Sequence, residues 1–206
     1  MIDSQLRENI FARLAACAPA IPVGISNRHV HLSQQDVEAL FGQGYVLTPC
    51  KPLRQPGQFA ARECVSVVGP KGTLRNVRVL GPTRQRSQLE ISRADCFALG
   101  ISAPVRESGQ LDNAGSALLI GPLGHVELRS QVICAWWHIH MSPQEAHQLN
   151  VINGQKVRVH SHGERRLTFD EVVVRVDENF VLEFHIDTEE ANAAGLKNGA
   201  LVSLIR

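Results

Sequence analysis

Asn27-Arg28-His29-Val30-His31-Leu32-Ser33-Gln34-Gln35-Asp36 is echoed 109 residues later (29 to 138) by Trp136-Trp137-His138-Ile139-His140-Met141-Ser142-Pro143-Gln144-Glu145. In both stretches two histidines flank an aliphatic residue, and Ser with an acid three residues later follows. Both also reach a leucine, Leu40 or Leu149, nine residues after the second histidine. Two weaker relatives lie downstream. Glu90-Ile91-Ser92-Arg93-Ala94-Asp95 runs on to Leu99-Gly100, and His185-Ile186-Asp187-Thr188-Glu189-Glu190 runs on to Ala194-Gly195. In all four, a metal-binding side chain precedes a Ser or Asp by two residues, and an acid follows three later. Such a Ser or Asp can accept from the amide three positions on, while the acid reaches back to the cap or complements the positive helix end. Pro143 at a first helical position agrees. Each copy therefore reads as a strand with a ligand near its end, a short helix, and a glycine-type stop.

His-x-His suits a strand. Residues i and i+2 point to one face, so two imidazoles converge while the aliphatic between them faces the core. A third ligand must come from another segment, and the repeat itself supplies Glu90 and His185. Keeping each half of the repeat together gives two sets: His29, His31, Glu90 and His138, His140, His185. Imidazole nitrogen and carboxylate oxygen suit zinc, with three protein ligands leaving a position open for chemistry; cobalt, nickel and iron share these ligand types.

Outward from the repeat, most of the chain reads as short strands: 65–68, 74–80, 117–120, 126–133, 156–160, 167–176, 180–184 and 201–205. They are rich in aliphatic and β-branched residues, several alternate, and Gly-Pro or Gly-rich turns separate them. The pattern predicts a mainly β protein with short α-helices, built as small barrels or sandwiches. A doubly wound sheet is excluded, because long crossover helices, G-x-G-x-x-G and a P-loop are missing. Ile2, Leu6, Ile10 and Leu14 recur at helical spacing with Phe11 alongside. They make residues 1–20 an amphipathic helix, broken by Ala-Pro-Ala-Ile-Pro, that either packs on the body or serves targeting and docking.

Composition narrows the partners. Among 206 residues, 21 Lys and Arg balance 20 Asp and Glu for a net charge of +1, which gives no electrostatic case for nucleic acid or an anionic membrane. No window approaches the roughly 18–20 apolar residues of a membrane-spanning helix. Five scattered cysteines without C-x-x-C read as reduced thiols of an intracellular protein. Nine histidines stand beside a single tyrosine. His160 and His162 form a third His-x-His, but without the capping continuation they read as a solvated hairpin. His125 and His147 read as surface residues, Trp136-Trp137 as a structural strand pair or a shield for the site, and Cys134 as a small buried residue.

These residues resemble the phosphate propanoyltransferases, the phosphotransacylases of bacterial microcompartments. The resemblance runs essentially the whole way from Ile21 and rests on residues 22–33, 55–61, 77–82, Glu90-Ile91-Ser92-Arg93, His138-Ile139-His140-Met141-Ser142-Pro143 and residues 185–192. It implies two small β-barrel domains with capping helices and a two-zinc metal site between them, 14–27 plus 136–206 forming one domain and 28–135 the other. It implies reversible conversion of a short-chain acyl-CoA, propanoyl-CoA or acetyl-CoA, and phosphate into acyl phosphate and coenzyme A. The first zinc falls to His29, His31 and Glu90, the second to His138, His140 and His185.

Arg84 matches the family's principal phosphate contact, Ser108 and Arg175 match secondary ones, and Asn27 a substrate contact. The expected chemistry is direct attack of metal-bound phosphate on the thioester, with no acyl-enzyme. A zinc-dependent thioesterase or phosphoesterase-type hydrolase is the alternative, and a non-catalytic metal-binding or shell-associated protein a third reading. Family members inside microcompartments carry an N-terminal amphipathic extension, so residues 1–20 are expected to engage shell or core enzymes and to place the protein in the lumen, or otherwise in the cytoplasm. A homo-oligomer is a further expectation.

Overall fold

A computed structural model describes residues 20–205, so the expected N-terminal helix lies outside the described residues. The chain divides into two compact units. One, Ser26–Trp136, is inserted in sequence into the other, which joins the described residues up to Ile25 to those from Trp137 onward.

In chain order the elements are β1 (Ala20–Ser26), β2 (His29–Ser33), α1 (Gln34–Phe41), β3 (Pro49–Pro52), β4 (Phe59–Val68), β5 (Thr73–Arg84), β6 (Gln88–Glu90), α2 (Arg93–Leu99), β7 (Val105–Arg106), β8 (Gly115–Ile120) and β9 (His125–Ala135). Then follow β10 (His138–Met141), α3 (Pro143–Leu149), β11 (Lys156–His160), β12 (Thr168–Val176), β13 (Glu183–Asp187), α4 (Thr188–Ala194) and β14 (Leu201–Ile205).

The split unit closes a barrel in the order β1-β13-β10-β12-β11-β14. The inserted unit closes one of the same design, β9-β6-β2-β5-β4-β8, because β8 pairs with both β4 and β9. In each, the His-x-His strand is parallel to one neighbour (β2 to β5, β10 to β12) and antiparallel to the strand carrying the third candidate ligand (β2 to β6, β10 to β13). The sequence repeat thus marks the start of two equivalent barrels. The strand just before each His-x-His belongs to the other unit's barrel: β1 closes the split unit, and β9 closes the inserted one.

Alternation explains the cores. Val30 and Leu32 on β2, and Ile139 and Met141 on β10, are fully buried, as are Val65, Val77, Val79 and Leu89 or nearly so in the inserted unit. Val159, Val172, Val174 and Phe184 fill the split unit. Full burial of one such side chain is worth about 1.5–3 kcal/mol.

The short helices are fixed by their ends. Ser92 and Ser142 close full capping boxes with Asp95 and Glu145, and Asp187 does so with Glu190. Gly100, Asn150 and Gly195 stop these helices in the left-handed conformation. The first copy differs. Ser33 Oγ accepts from the Asp36 amide at 3.1 Å, but Asp36 does not reach back. Its carboxylate takes the hydroxyl of buried Ser87, whose Oγ accepts from the Ser33 amide at 2.8 Å. Asp95 also accepts Arg28 two-pronged, at 2.9 and 3.0 Å, which ties the start of β2 to α2.

Two local expectations are corrected. The strand expected at 180–184 begins at Glu183, because Asp177 Oδ1 accepts from the Asn179 amide at 2.9 Å and turns the chain there. Gly81–Arg84, read as a turn, continues β5, held by pairing of Ser33 with Arg84. Gly81 permits this, since a Cβ there would lie 2.2 Å from the Phe59 ring.

Candidate metal centres

Each centre is a square of four side chains on one face of an antiparallel strand pair. In the inserted unit His29 stands opposite Glu90 and His31 opposite Gln88. In the split unit His138 stands opposite His185 and His140 opposite Glu183. Alternate residues share a face, so pairing alone brings the four corners together.

In the inserted unit, donor atoms of His29, His31 and Glu90 all lie within 4.8 Å of one another. His29 Nδ1 donates to the Asn27 carbonyl at 2.8 Å, which leaves Nε2, 3.5 Å from Glu90 Oε2, as its free donor atom. Gln88 orients the carboxylate: its Nε2 donates to Glu90 Oε1 at 2.5 Å and to Ser108 Oγ at 2.8 Å, while its Oε1 accepts from the Gly109 amide. Ser108 donates to the same Glu90 oxygen at 3.1 Å. Hydrogen-bonded carboxylates and imidazoles of this kind are the usual outer support of metal ligands. Arg84 Nη2 lies 2.9 Å from His31 Nε2, and Nη1 donates to Ser108 Oγ at 3.3 Å. Burial, then the neighbouring His29 and Arg84, hold the His31 pKa well below its ordinary value, so this ring is neutral and its Nε2 accepts from Arg84.

The split-unit set is all histidine. Donor atoms of His138, His140 and His185 also lie within 4.8 Å of one another. The His138 and His185 rings stack at 4.9 Å, and His140 stacks on Phe180 at 4.0 Å. Burial first, then His185, His138 and Arg175, push the His140 pKa far down. Both His140 ring nitrogens and His185 Nε2 are buried without a hydrogen-bond partner. Glu183 Oε2 is 3.1 Å from that Nε2 but off the direction of a ring N–H, so the two are close without being hydrogen-bonded. Buried nitrogens left without hydrogen bonds are costly unless something else occupies their lone pairs. Three imidazoles here, and two with a carboxylate in the other unit, fit zinc or a similar divalent ion.

Arg84 and Ser108 therefore gather at the first set, and Arg175 pairs in register with His140 beside the second. The Asn27 side chain accepts from the Arg28 amide at 2.8 Å, while its carbonyl holds His29. His160 bonds to Thr168 and His162 to Ser203, apart from either set. His125 and His147 are exposed. Trp137 packs on Phe169 and donates to the Asp170 carbonyl. Cys134 is buried, its Sγ 3.7 Å from Cys96 Sγ. Sequence reasoning missed Gln88, Ser87, Phe180 and Glu183. For Gln88 and Glu183 a signal existed, since each lies two residues before a third ligand on the same strand face.

A family model described as phosphate propanoyltransferase matches residues 22–197. A Thermotoga maritima protein of that name is 55% identical over 188 residues, 91% of this chain and 90% of its own. A Rhodobacter capsulatus protein so named is 50% identical over 205 residues, 98% of this chain and 95% of its own. A third, from Salmonella typhimurium, is 52% identical over 179 residues, 86% of this chain and 85% of its own.

Proposed function

This chain belongs to the phosphate propanoyltransferase family, and from that premise we propose that it exchanges a short acyl group, propanoyl or acetyl, between coenzyme A and inorganic phosphate, with one zinc ion in each of its two ligand sets. The observation that carries this reading is Arg84: a permanent cation with a two-pronged donor face lies 2.9 Å from a neutral metal-binding nitrogen of His31.

Phosphate is a weak nucleophile toward a thioester until it is oriented and the charge developing on the carbonyl oxygen is stabilised. When bound, the ions supply Lewis acidity for a phosphate oxygen, the thioester carbonyl and the departing thiolate. The side chains do the rest. Arg84 takes phosphate oxygens with its fork, which Ser108 steadies by accepting from Nη1. Gln88 and Ser108 fix Glu90 by donating to its Oε1. Arg175 adds a second cation beside His140. A phosphate oxygen attacks the carbonyl carbon, the C–S bond breaks, and coenzyme A leaves as thiolate.

We place no acyl-enzyme on the path. Cys134, the thiol of interest in the sequence, is buried against Cys96 and the Ala103 carbonyl. Initial-rate patterns with varied acyl-CoA and phosphate test this: intersecting lines are expected, and parallel lines with an acylated peptide at Cys134 would refute it. Residues 1–20 we assign to recruitment into a microcompartment, and the chain without them should stay active but diffuse through the cell. No helix among the described residues is long and apolar enough to cross a membrane.

A further inference from the structure

The fourth corner of each square is where the two centres part ways. In the inserted unit it is Gln88, an amide that donates to the carboxylate ligand Glu90. In the split unit it is Glu183, a carboxylate beside the histidine ligand His185. The donor set and its neighbour thus differ in a matched way: where the third residue is a carboxylate its neighbour is an amide, and where all three are histidines the neighbour is a carboxylate.

Charge makes that difference matter. His29, His31 and Glu90 would offset one of the two positive charges of a divalent ion. His138, His140 and His185 would offset none, at a place where His140 is 8% exposed and Arg175 adds a like charge. An uncompensated buried charge is among the costliest features a protein can hold. Glu183 is 7% exposed, and its Oε2 lies 3.1 Å from His185 Nε2.

The barrel is also shaped to admit this carboxylate. Gly24 on β1, the neighbour of β13, has no side chain where a Cβ would lie 2.7 Å from Glu183 Cδ and Oε1. Any other residue there would push the acid from its place.

We propose that Glu183 is the compensating anion of the three-histidine centre, acting by its charge beside His185 to tighten the hold on a divalent ion. This rests on the reading that the set binds such an ion. Outer-shell changes of this kind cost about 10–100-fold in metal affinity. Glu183→Gln keeps the shape and removes the charge. Gly24→Ala keeps the charge and displaces it.

The test is titration of zinc against a chromophoric chelator, reading the two affinities separately, with the His138→Ala protein identifying which belongs to this set. Glu183→Gln should weaken that affinity about 10–100-fold and leave the other unchanged. Gly24→Ala should act in the same direction to a smaller extent, and the two losses should not add when combined. If the unaltered protein binds two ions and neither variant changes either affinity by more than about twofold, the proposal is overturned while the metal reading stands. If the unaltered protein binds fewer than two, the metal reading fails and the proposal with it.

Discussion

His138 and His185 face each other directly across β10 and β13, their rings stacked 4.9 Å apart with planes only 5° from parallel. Across β2 and β6 the same position pairs His29 with Glu90. Each pair, completed by the second histidine of its own strand, lies wholly within one unit.

The two sets should therefore load separately. His29→Ala or Glu90→Ala is expected to lower zinc from two per chain toward one, and His138→Ala likewise, with the combined variant holding none. Elemental analysis of the folded proteins reads this directly. A variant that kept both metals and full activity would refute the ligand assignment.

Arg84→Lys keeps the charge at the first set but loses the fork that meets His31 and Ser108. A hydrogen bond between charged groups is worth about 1.5–3 kcal/mol, so kcat/KM for phosphate should fall by about one to two orders of magnitude. Zinc content should hold, and KM for acyl-CoA should move much less. Equal damage toward both substrates would mean that Arg84 shapes the whole site, and no damage would turn attention to Arg175.

Ser87 links β6 to the start of α1 through the Ser33 amide and Asp36, and it is 1% exposed. Ser87→Ala takes their partner from the half-buried Ser33 amide and Asp36 carboxylate, which costs about 1–3 kcal/mol. Ser142→Ala, a local cap loss, should cost about 1 kcal/mol. Urea unfolding should rank the first variant below the second.

Glu190 gives a pH signature. Burial raises its pKa from 4.5 to about 7. Between these values the folded chain keeps a proton that the unfolded chain has lost, so Glu190 favours folding below about pH 4.5 and loses that effect as pH rises through about 7. Glu190→Gln should remove this dependence. The variant's stability relative to the unaltered protein should grow across the window, by on the order of 3 kcal/mol at most. Denaturant unfolding in the presence of a chelator, at pH 5 and pH 8, measures it; an equal difference at both would show that Glu190 titrates normally.

The sequence repeat was legible because both its parts are local. His-x-His places two rings on one strand face, and Ser or Asp with an acid three residues on caps a helix, so strand, ligand and helix could be read from a few consecutive residues. The outer supports were not. Ser87 replaces the back-bond of the first cap from 54 residues away, a relation that no spacing rule signals. Gln88 and Glu183 carry only a weak signal, their place two residues before Glu90 and His185, and pairing alone puts them opposite His31 and His140. Barrel closure was hidden for a similar reason, since β1 pairs with β14 at the far end of the chain. The start of β13 was missed because the Asp177 turn is a side-chain effect that hydrophobic pattern does not report.

The central claim is transfer of an acyl group to phosphate, and coenzyme A release from propanoyl-CoA by the zinc-loaded protein, with and without inorganic phosphate, tests it most directly. The account predicts no release without phosphate, and with it one acyl phosphate formed for each coenzyme A freed. Release at an undiminished rate in phosphate-free buffer, with free propanoate as the product, would contradict it and make the protein a hydrolase.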